Sequence, residues 1–435
     1  MTGTTWYVLP VPAAWQRYFA RVLLVLGGLF LLLNTITLTA VQGFRPGLWV
    51  SFTVWLACAI YGQFWLERRK PRTDPLLFPL VMFMSGWGIM IISRLLPAFG
   101  ERQTLWLIIS FIAFIAVIRI PNLIMLLRQF RYLLLVFGIG LLLTTILFGT
   151  NPSGTTGAPA LWLGAAGIYF QPSELLKIVL VAFVASYLAE QYPVFRSAEL
   201  LGDGRKAYNI SPRVGGPILL MWGICLVVLI WQRDLGTAIL FFIVFMLLLY
   251  IASGLSWVAI GGAVLILAAG LSAYFLFDVV KLRVDIWWNP WIDPDGRAYQ
   301  IVQSLMTFSA GGIFGEGIGQ GFPAYVPVIH SDFIFSALAE EWGLLGIITA
   351  IALITGLVSR AFTIAVQQRG KPYPTLLAVG FGILFGMQSL LIMGGVLKLI
   401  PLTGVTLPFF SYGGSSLLIS FIIMGLLLRL SGGDS

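Results

Sequence analysis

Two aspartates two residues apart, Asp293 and Asp295, stand in the stretch DIWWNPWIDPDGRAYQIVQS at 285–304. Asp-Pro-Asp-Gly is turn chemistry: proline fixes φ, glycine permits positive φ, and aspartate caps backbone N–H groups. Two solvated turn carboxylates are the plain reading. The aromatic, glycine-rich surroundings support a second one. Trp287, Trp288 and Pro290 should end a helix at a membrane interface. A carboxylate partly desolvated there has a raised pKa and can act as a general base. The pair is also compatible with a hard divalent cation, Mg or Mn, without requiring one.

Other polar groups interrupt long apolar runs. Gln171-Pro172-Ser173-Glu174 opens one run, and Glu174 with Lys177 at i, i+3 can pair on a helix face or wall a cavity. Trp231-Gln232-Arg233-Asp234 separates two runs and sets Arg233 beside Asp234. In His330-Ser331-Asp332 the serine or aspartate can cap the following helix, and His330 has too few co-ligands for a metal site. Glu340 and Glu341 fall inside that helix, where carboxylates are costly and normally paired or functional. GGIFGEGIGQG at 311–321 lacks the strand and the Gly-Lys-Ser/Thr of a nucleotide loop and reads as close backbone packing or a re-entrant bend in protein-buried membrane space, with Glu316 solvated. IPLTGVTLPFFSYGGSS at 400–416 is broken by Pro and Gly; its hydroxyls, Ser411 among them, and its N–H groups suit a phosphate or sugar unless the segment is a packed turn.

The elements that must hold these groups are membrane helices. Of the 435 residues, 59% are hydrophobic and 10% charged, against about 25% charged in a soluble domain. That excludes a soluble enzyme and a disordered scaffold. The apolar residues run continuously instead of alternating, which excludes a β-barrel. The fold class is an all-α, polytopic integral membrane protein. About twelve transmembrane helices are expected, at 18–40, 47–66, 76–96, 103–119, 132–149, 173–190, 215–232, 236–252, 257–278, 332–357, 374–397 and 412–430. Cys58 and Cys225 lie in apolar runs and form no disulfide framework.

With the N-terminus inside, seventeen of the 26 Lys and Arg fall on the inner side and eight on the outer, Lys177 lying within a helix. Both termini are therefore expected in the cytoplasm. The longest connection, 279–331, then lies outside with 150–172 and 398–411. The net charge of +9 reads as topology, not as a nucleic-acid surface.

Five blocks occur in a characteristic order: FQPSELLK at 170–177, QRDLGTA at 232–238, WNPWIDPDGRAYQIVQSL at 288–305, HSDFIFSALAEEWGLLG at 330–346 and PLTGVTLPFFSYGGSS at 401–416. They resemble the SEDS (shape, elongation, division and sporulation) family of the RodA/FtsW/SpoVE type. The resemblance covers residues 76–430, a ten-helix glycosyltransferase core that includes the 279–331 loop. Residues 1–75 form an additional two-helix segment. The resemblance implies a peptidoglycan glycosyltransferase of the cell membrane that polymerises lipid II at the outer face, in elongation or division, with a class B penicillin-binding protein as transpeptidase partner. It places the essential carboxylate on Asp293, with Asp295 next in register. Two positions depart from the family pattern. Arg233 replaces a Pro, and Val328 stands where a Glu is frequent, so no role of that Glu carries over.

The substrate so implied is a lipid-linked disaccharide diphosphate. Its lipid needs a membrane groove, and its diphosphate needs cations, for which Lys177, Arg233, Arg283 and Lys398 are candidates. Glu174, Asp234, Gln303, His330, Asp332 and Ser411 complete the candidate substrate contacts. Two rival functions make different demands. A flippase for the same precursor would rely on carboxylates nearer the midplane, such as Glu340 or Glu341. A scaffold that only recruits the transpeptidase would not need Asp293.

Overall fold

The computed structural model describes residues 13–151, 160–165, 168–200, 223, 226–227, 230–232 and 234–433. Its helices are α1 (Ala13–Gln42), α2 (Pro46–Arg69), α3 (Leu77–Leu95), α4 (Pro97–Arg119), α5 (Leu123–Gln129), α6 (Arg131–Phe148), α7 (Pro172–Leu200), α8 (Leu235–Ser253), α9 (Ser256–Leu276), α10 (Asp278–Trp288), α11 (Tyr299–Gly311), α12 (Ile334–Gln367), α13 (Pro372–Val396) and α14 (Gly414–Ser431). A two-stranded antiparallel hairpin, β1 (Leu163–Ala165) with β2 (Ile168–Phe170), leads into α7. Proline opens α2, α4, α7 and α13, where its missing N–H would be unpaired in any case.

Among the described residues eleven helices are long and apolar enough to cross a membrane. The expected span 215–232 lies almost wholly outside the described residues. Several boundaries differ from the sequence reading: α1 starts at Ala13, not at 18, and α7 runs to Leu200, not 190. Helix α4 starts at Pro97, not at 103, because proline suits a first turn and carries Glu101 and Arg102 into the helix. Helix α12 runs to Gln367, not 357, and Arg360 within that extension is neutralised by Asp74 of the α2–α3 connection.

Burial sorts the spans into an inner and an outer set. In α7, 94% of the span is buried, while in α9 only 11% is. Helices α3, α13 and α14 are likewise inner elements; α1, α2, α6 and α9 turn most of their apolar side chains outward, as lipid-facing helices do. Without a hydrophobic drive between helices in lipid, close packing and polar contacts hold the bundle. Helix α2 docks on α3 and α4 in this way: Trp55 Nε1 donates to Met82 O of α3 at 2.7 Å, and the Ser51 hydroxyl meets that of Thr104 of α4 at 2.8 Å.

The 279–331 connection is mostly folded. Trp288 ends α10, Pro290–Ile292 make a 3-10 turn, and α11 follows. This connection, the start of α7, the start of α8 and the 397–413 segment gather at one end of the bundle.

Candidate functional site

Asp293 sits on a capped turn. Asn289 Oδ1 accepts from Trp291 N at 3.1 Å, which fixes the 3-10 turn before it. Asp293 O accepts from Ala298 N at 3.1 Å, which fixes the turn after it. Its Oδ2 accepts from the Arg297 backbone N–H at 3.1 Å and from Arg297 Nε at 3.2 Å. A Cβ at position 296 would lie 2.4 Å from Asp293 Oδ1, so Gly296 is what lets the carboxylate fold over the turn. The expected turn chemistry is present, but the expected desolvation is not. The Asp293 side chain is 43% exposed. The backbone N–H and then the guanidinium of Arg297 hold its pKa below the usual carboxylate range. A raised pKa would need apolar cover, and Trp288, Trp291 and Ile292 are themselves exposed around the turn. Asp295 is exposed on the same turn. Among the described residues no three or more His, Cys, Asp or Glu converge as a metal-binding group.

A second set of predicted residues meets in a polar recess at the same end. The Ser173 hydroxyl donates to Asp234 Oδ2 at 3.0 Å, and Asp234 Oδ1 accepts from Thr237 N at 3.3 Å, capping α8. Gln171, which sequence reasoning did not single out, reaches Asp234 and Ser173 through its amide. Arg283 of α10 lies over the recess. It donates to Thr403 O at 3.2 Å and faces Gly404, Asp332 and Asp234. Burial lowers the Arg283 pKa and raises that of Asp332, while their opposite charges act against both shifts. Arg233 lies outside the described residues.

Several predicted contacts are already spent inside the protein. Lys177 is buried and donates to both Glu174 oxygens at 2.8 Å and to Gln388 Oε1 at 3.1 Å. Gln388 in turn donates to Thr406 O at 2.7 Å. In this conformation all three ammonium protons have partners, as the pair reading of Glu174 and Lys177 expects. The buried Ser411 hydroxyl donates to Ser331 O at 2.6 Å and accepts from Leu407 N at 2.9 Å, so it braces a packed turn. Neither Ser331 nor Asp332 caps α12 through its side chain.

The remaining predicted residues occupy the rim. His330 is half-buried, 4.8 Å from the Phe99 ring and 5.6 Å from Tyr412, and burial lowers its pKa. Lys398 adopts left-handed backbone (φ 60°), and its carbonyl accepts from Trp287 Nε1 at 3.1 Å. Gln303 is half-buried on α11. Val328 is exposed with φ 57°, a strained conformation for a β-branched residue.

Sequence reasoning also missed the partner of Glu341. Its carboxylate lies 2.5 Å from Arg94 Nε, both side chains buried. The signal was available: an intramembrane carboxylate needs a cation at its own depth, and Arg94 ends the helix run on the same side.

Comparison with known proteins agrees with this architecture. The FtsW/RodA/SpoVE cell-cycle protein family model matches residues 74–434. The Mycobacterium tuberculosis (strain H37Rv) peptidoglycan glycosyltransferase RodA is 38% identical over 382 residues, covering 85% of this chain and 80% of the relative. An Escherichia coli O157:H7 protein named a probable peptidoglycan glycosyltransferase FtsW is 30% identical, over 87% of this chain and 92% of the relative. In fold, the chain is similar to a protein from a peptidoglycan synthase complex studied for its coordination of polymerization and crosslinking, with TM-score 0.66 and 24% identity over 83% of this chain and 98% of that one. It is also similar to the Thermus thermophilus rod shape determining protein RodA, with TM-score 0.59 and 23% identity over 83% and 97%. The capped carboxylate turn, the polar recess beside it and the helical core that carries both thus stand in a chain that belongs to the FtsW/RodA/SpoVE family.

Proposed function

We propose that this chain is a peptidoglycan glycosyltransferase that polymerises lipid II, and that Asp293 takes the proton from the attacking sugar hydroxyl. The carrying observation is the capped turn. It presents a solvent-facing carboxylate, kept ionised by Arg297, at the bundle end that also holds the recess. The names of the relatives supply the reaction class. The acceptor oxygen bonds to the donor's anomeric carbon as the bond from that carbon to the diphosphate oxygen breaks. The lipid diphosphate leaves with the bonding electrons, and the acceptor's proton passes to Asp293. Attack opposite the leaving group inverts the anomeric centre, as in single-displacement glycosyl transfer.

Arg283 supports diphosphate binding. It spends one N–H on Thr403 O and lies over the recess, where a charge-assisted bond to phosphate is strong. The excess of Lys and Arg on the opposite side of the membrane supports an outer-face reaction with both termini in the cytoplasm. A class B penicillin-binding protein is the partner we assign, on the likeness to a synthase-complex chain. The flippase reading has less support, because Glu341 is tied to Arg94 and Glu340 to the Phe322 backbone N–H.

The test incubates purified protein and its co-expressed transpeptidase with labelled lipid II, beside an Asp293→Asn variant shown to be folded. Glycan ladders from the wild type alone are the expected result. Ladders from both would move the carboxylate to Asp295 or elsewhere. No ladder from either would favour a flippase or a scaffold.

A further inference from the structure

Helix α12 is broken inside the membrane. Gly343 has φ 61° and ψ −158°, far from helical values. A break in lipid strands N–H and C=O groups at a cost of several kcal/mol each unless protein supplies partners. Here the glycine-rich 312–317 segment supplies them. Glu340 O and Glu341 O accept from Glu316 N at 2.8 Å and Gly317 N at 3.3 Å. Leu344 N and Leu345 N donate to Gly312 O at 3.0 Å and Ile313 O at 3.3 Å. The approach needs glycine: a Cβ at 343 would fall 2.4 Å from Gly315 N, and one at 311 would fall 1.9 Å from Ala339 O.

Side chains then lock the rest of the segment. Glu340 Oε1 accepts from Phe322 N at 2.6 Å. Glu341 pairs with Arg94 of α3, and Arg94 Nη2 donates to Gly321 O at 2.6 Å. Helix α1, outside the residues that match the family, closes the other side: a Cβ on Gly319 would stand 3.1 Å from Leu38 Cδ2. The locked segment continues directly from α11, whose N-terminal end follows the Asp293 turn. The middle of α11 is pinned where the Ser304 hydroxyl meets Ser336 Oγ at 2.8 Å. Thirteen residues of helix make a strut about 20 Å long. One end carries the catalytic turn and the other is held in the α12 break.

We propose that Arg94 and Glu341 are positioning residues for polymerisation: by clamping the 312–321 segment into the break they fix the strut that carries the Asp293 turn. This rests on the reading of Asp293 given above. Neither residue needs to touch substrate.

The test compares wild type, Arg94→Gln, Glu341→Gln and the control Glu316→Gln, whose side chain is exposed on the same segment. Each is assayed with its transpeptidase partner, and hydrogen exchange is followed over 293–303 and over α13. Clamp variants should lose about tenfold or more in kcat with KM within about twofold, since small misplacements of reacting groups are that costly. They should exchange faster at 293–303 while α13 stays protected, and Glu316→Gln should match wild type. Unchanged exchange at 293–303, or a change in KM alone, overturns the proposal. If the neutral variants fail to fold, Arg94→Lys and Glu341→Asp carry the same two readouts and decide it. Asp293→Asn runs in parallel. If it polymerises normally, the Asp293 reading falls, while the exchange data still report whether the clamp and the turn are coupled.

Discussion

Two carboxylate settings in this protein are opposites. Glu174 is buried, and Lys177 is bound to both of its oxygens. Asp293 is 43% exposed, held by a backbone N–H and one guanidinium, and leaves Oδ1 outside those bonds. The first setting pairs the two charges inside the protein. The second keeps a carboxylate ionised and accessible. Charge depth inside the membrane is therefore a poor guide to exposure in this chain: the deep charges hold helices, and the shallow one faces solvent.

That contrast can be broken most decisively at Asp293. Replacement by Asn should cut glycan polymerisation by about 10²-fold or more, the scale of a lost general base, with the melting temperature within a few degrees of wild type. Lys177→Met should fail the other way, in folding. Stranding the Glu174 carboxylate among buried groups should cost about 3–5 kcal/mol, visible as a lower melting temperature. The double change Lys177→Met with Glu174→Gln should recover part of it. A stable but inactive Lys177→Met protein would erase the distinction between the two settings. Arg283→Ala should be milder, raising KM for lipid II about tenfold with little effect on kcat if one charge-assisted phosphate bond, about 1.5 kcal/mol, is lost; Arg283→Lys should recover part of that affinity.

The smallest effect sharpens the exposed setting. Arg297 depresses the Asp293 pKa, so the wild-type carboxylate stays ionised to lower pH than a free one. Arg297→Ala removes the guanidinium but keeps the backbone N–H. The acid limb of the kcat/KM profile should move up towards about 4, the ordinary aspartate value, without reaching it. A limb that does not move would detach that titration from Asp293.

Much of the fold was legible because membrane spans are long, apolar and bounded by proline and charge. What was not legible depended on pairing across the chain. The partner of Arg360 is Asp74, 286 residues away, and no local pattern joins the two. The i, i+3 spacing shows Glu174 as a partner for Lys177, but not Gln388, which is brought to it from α13. At the site, the Asp-Pro-Asp-Gly spacing was enough to predict a capped turn. It was not enough to predict solvation: the flanking tryptophans suggested cover, and in the fold Trp288 and Trp291 point away from the core. Of the two readings open for the glycines at 311–321, close packing is what the fold shows, but periodicity cannot show that their partner is the interior of a helix that begins more than ten residues later.

The repaired break in α12 also bears on how the chain is made. Synthesis delivers residues 312–317 before Gly343 leaves the ribosome. The backbone groups that complete the interrupted helix are thus already waiting when the interruption reaches the bilayer. A circular permutant opened between 322 and 333 would reverse that order and ask a broken helix to insert before its complement exists.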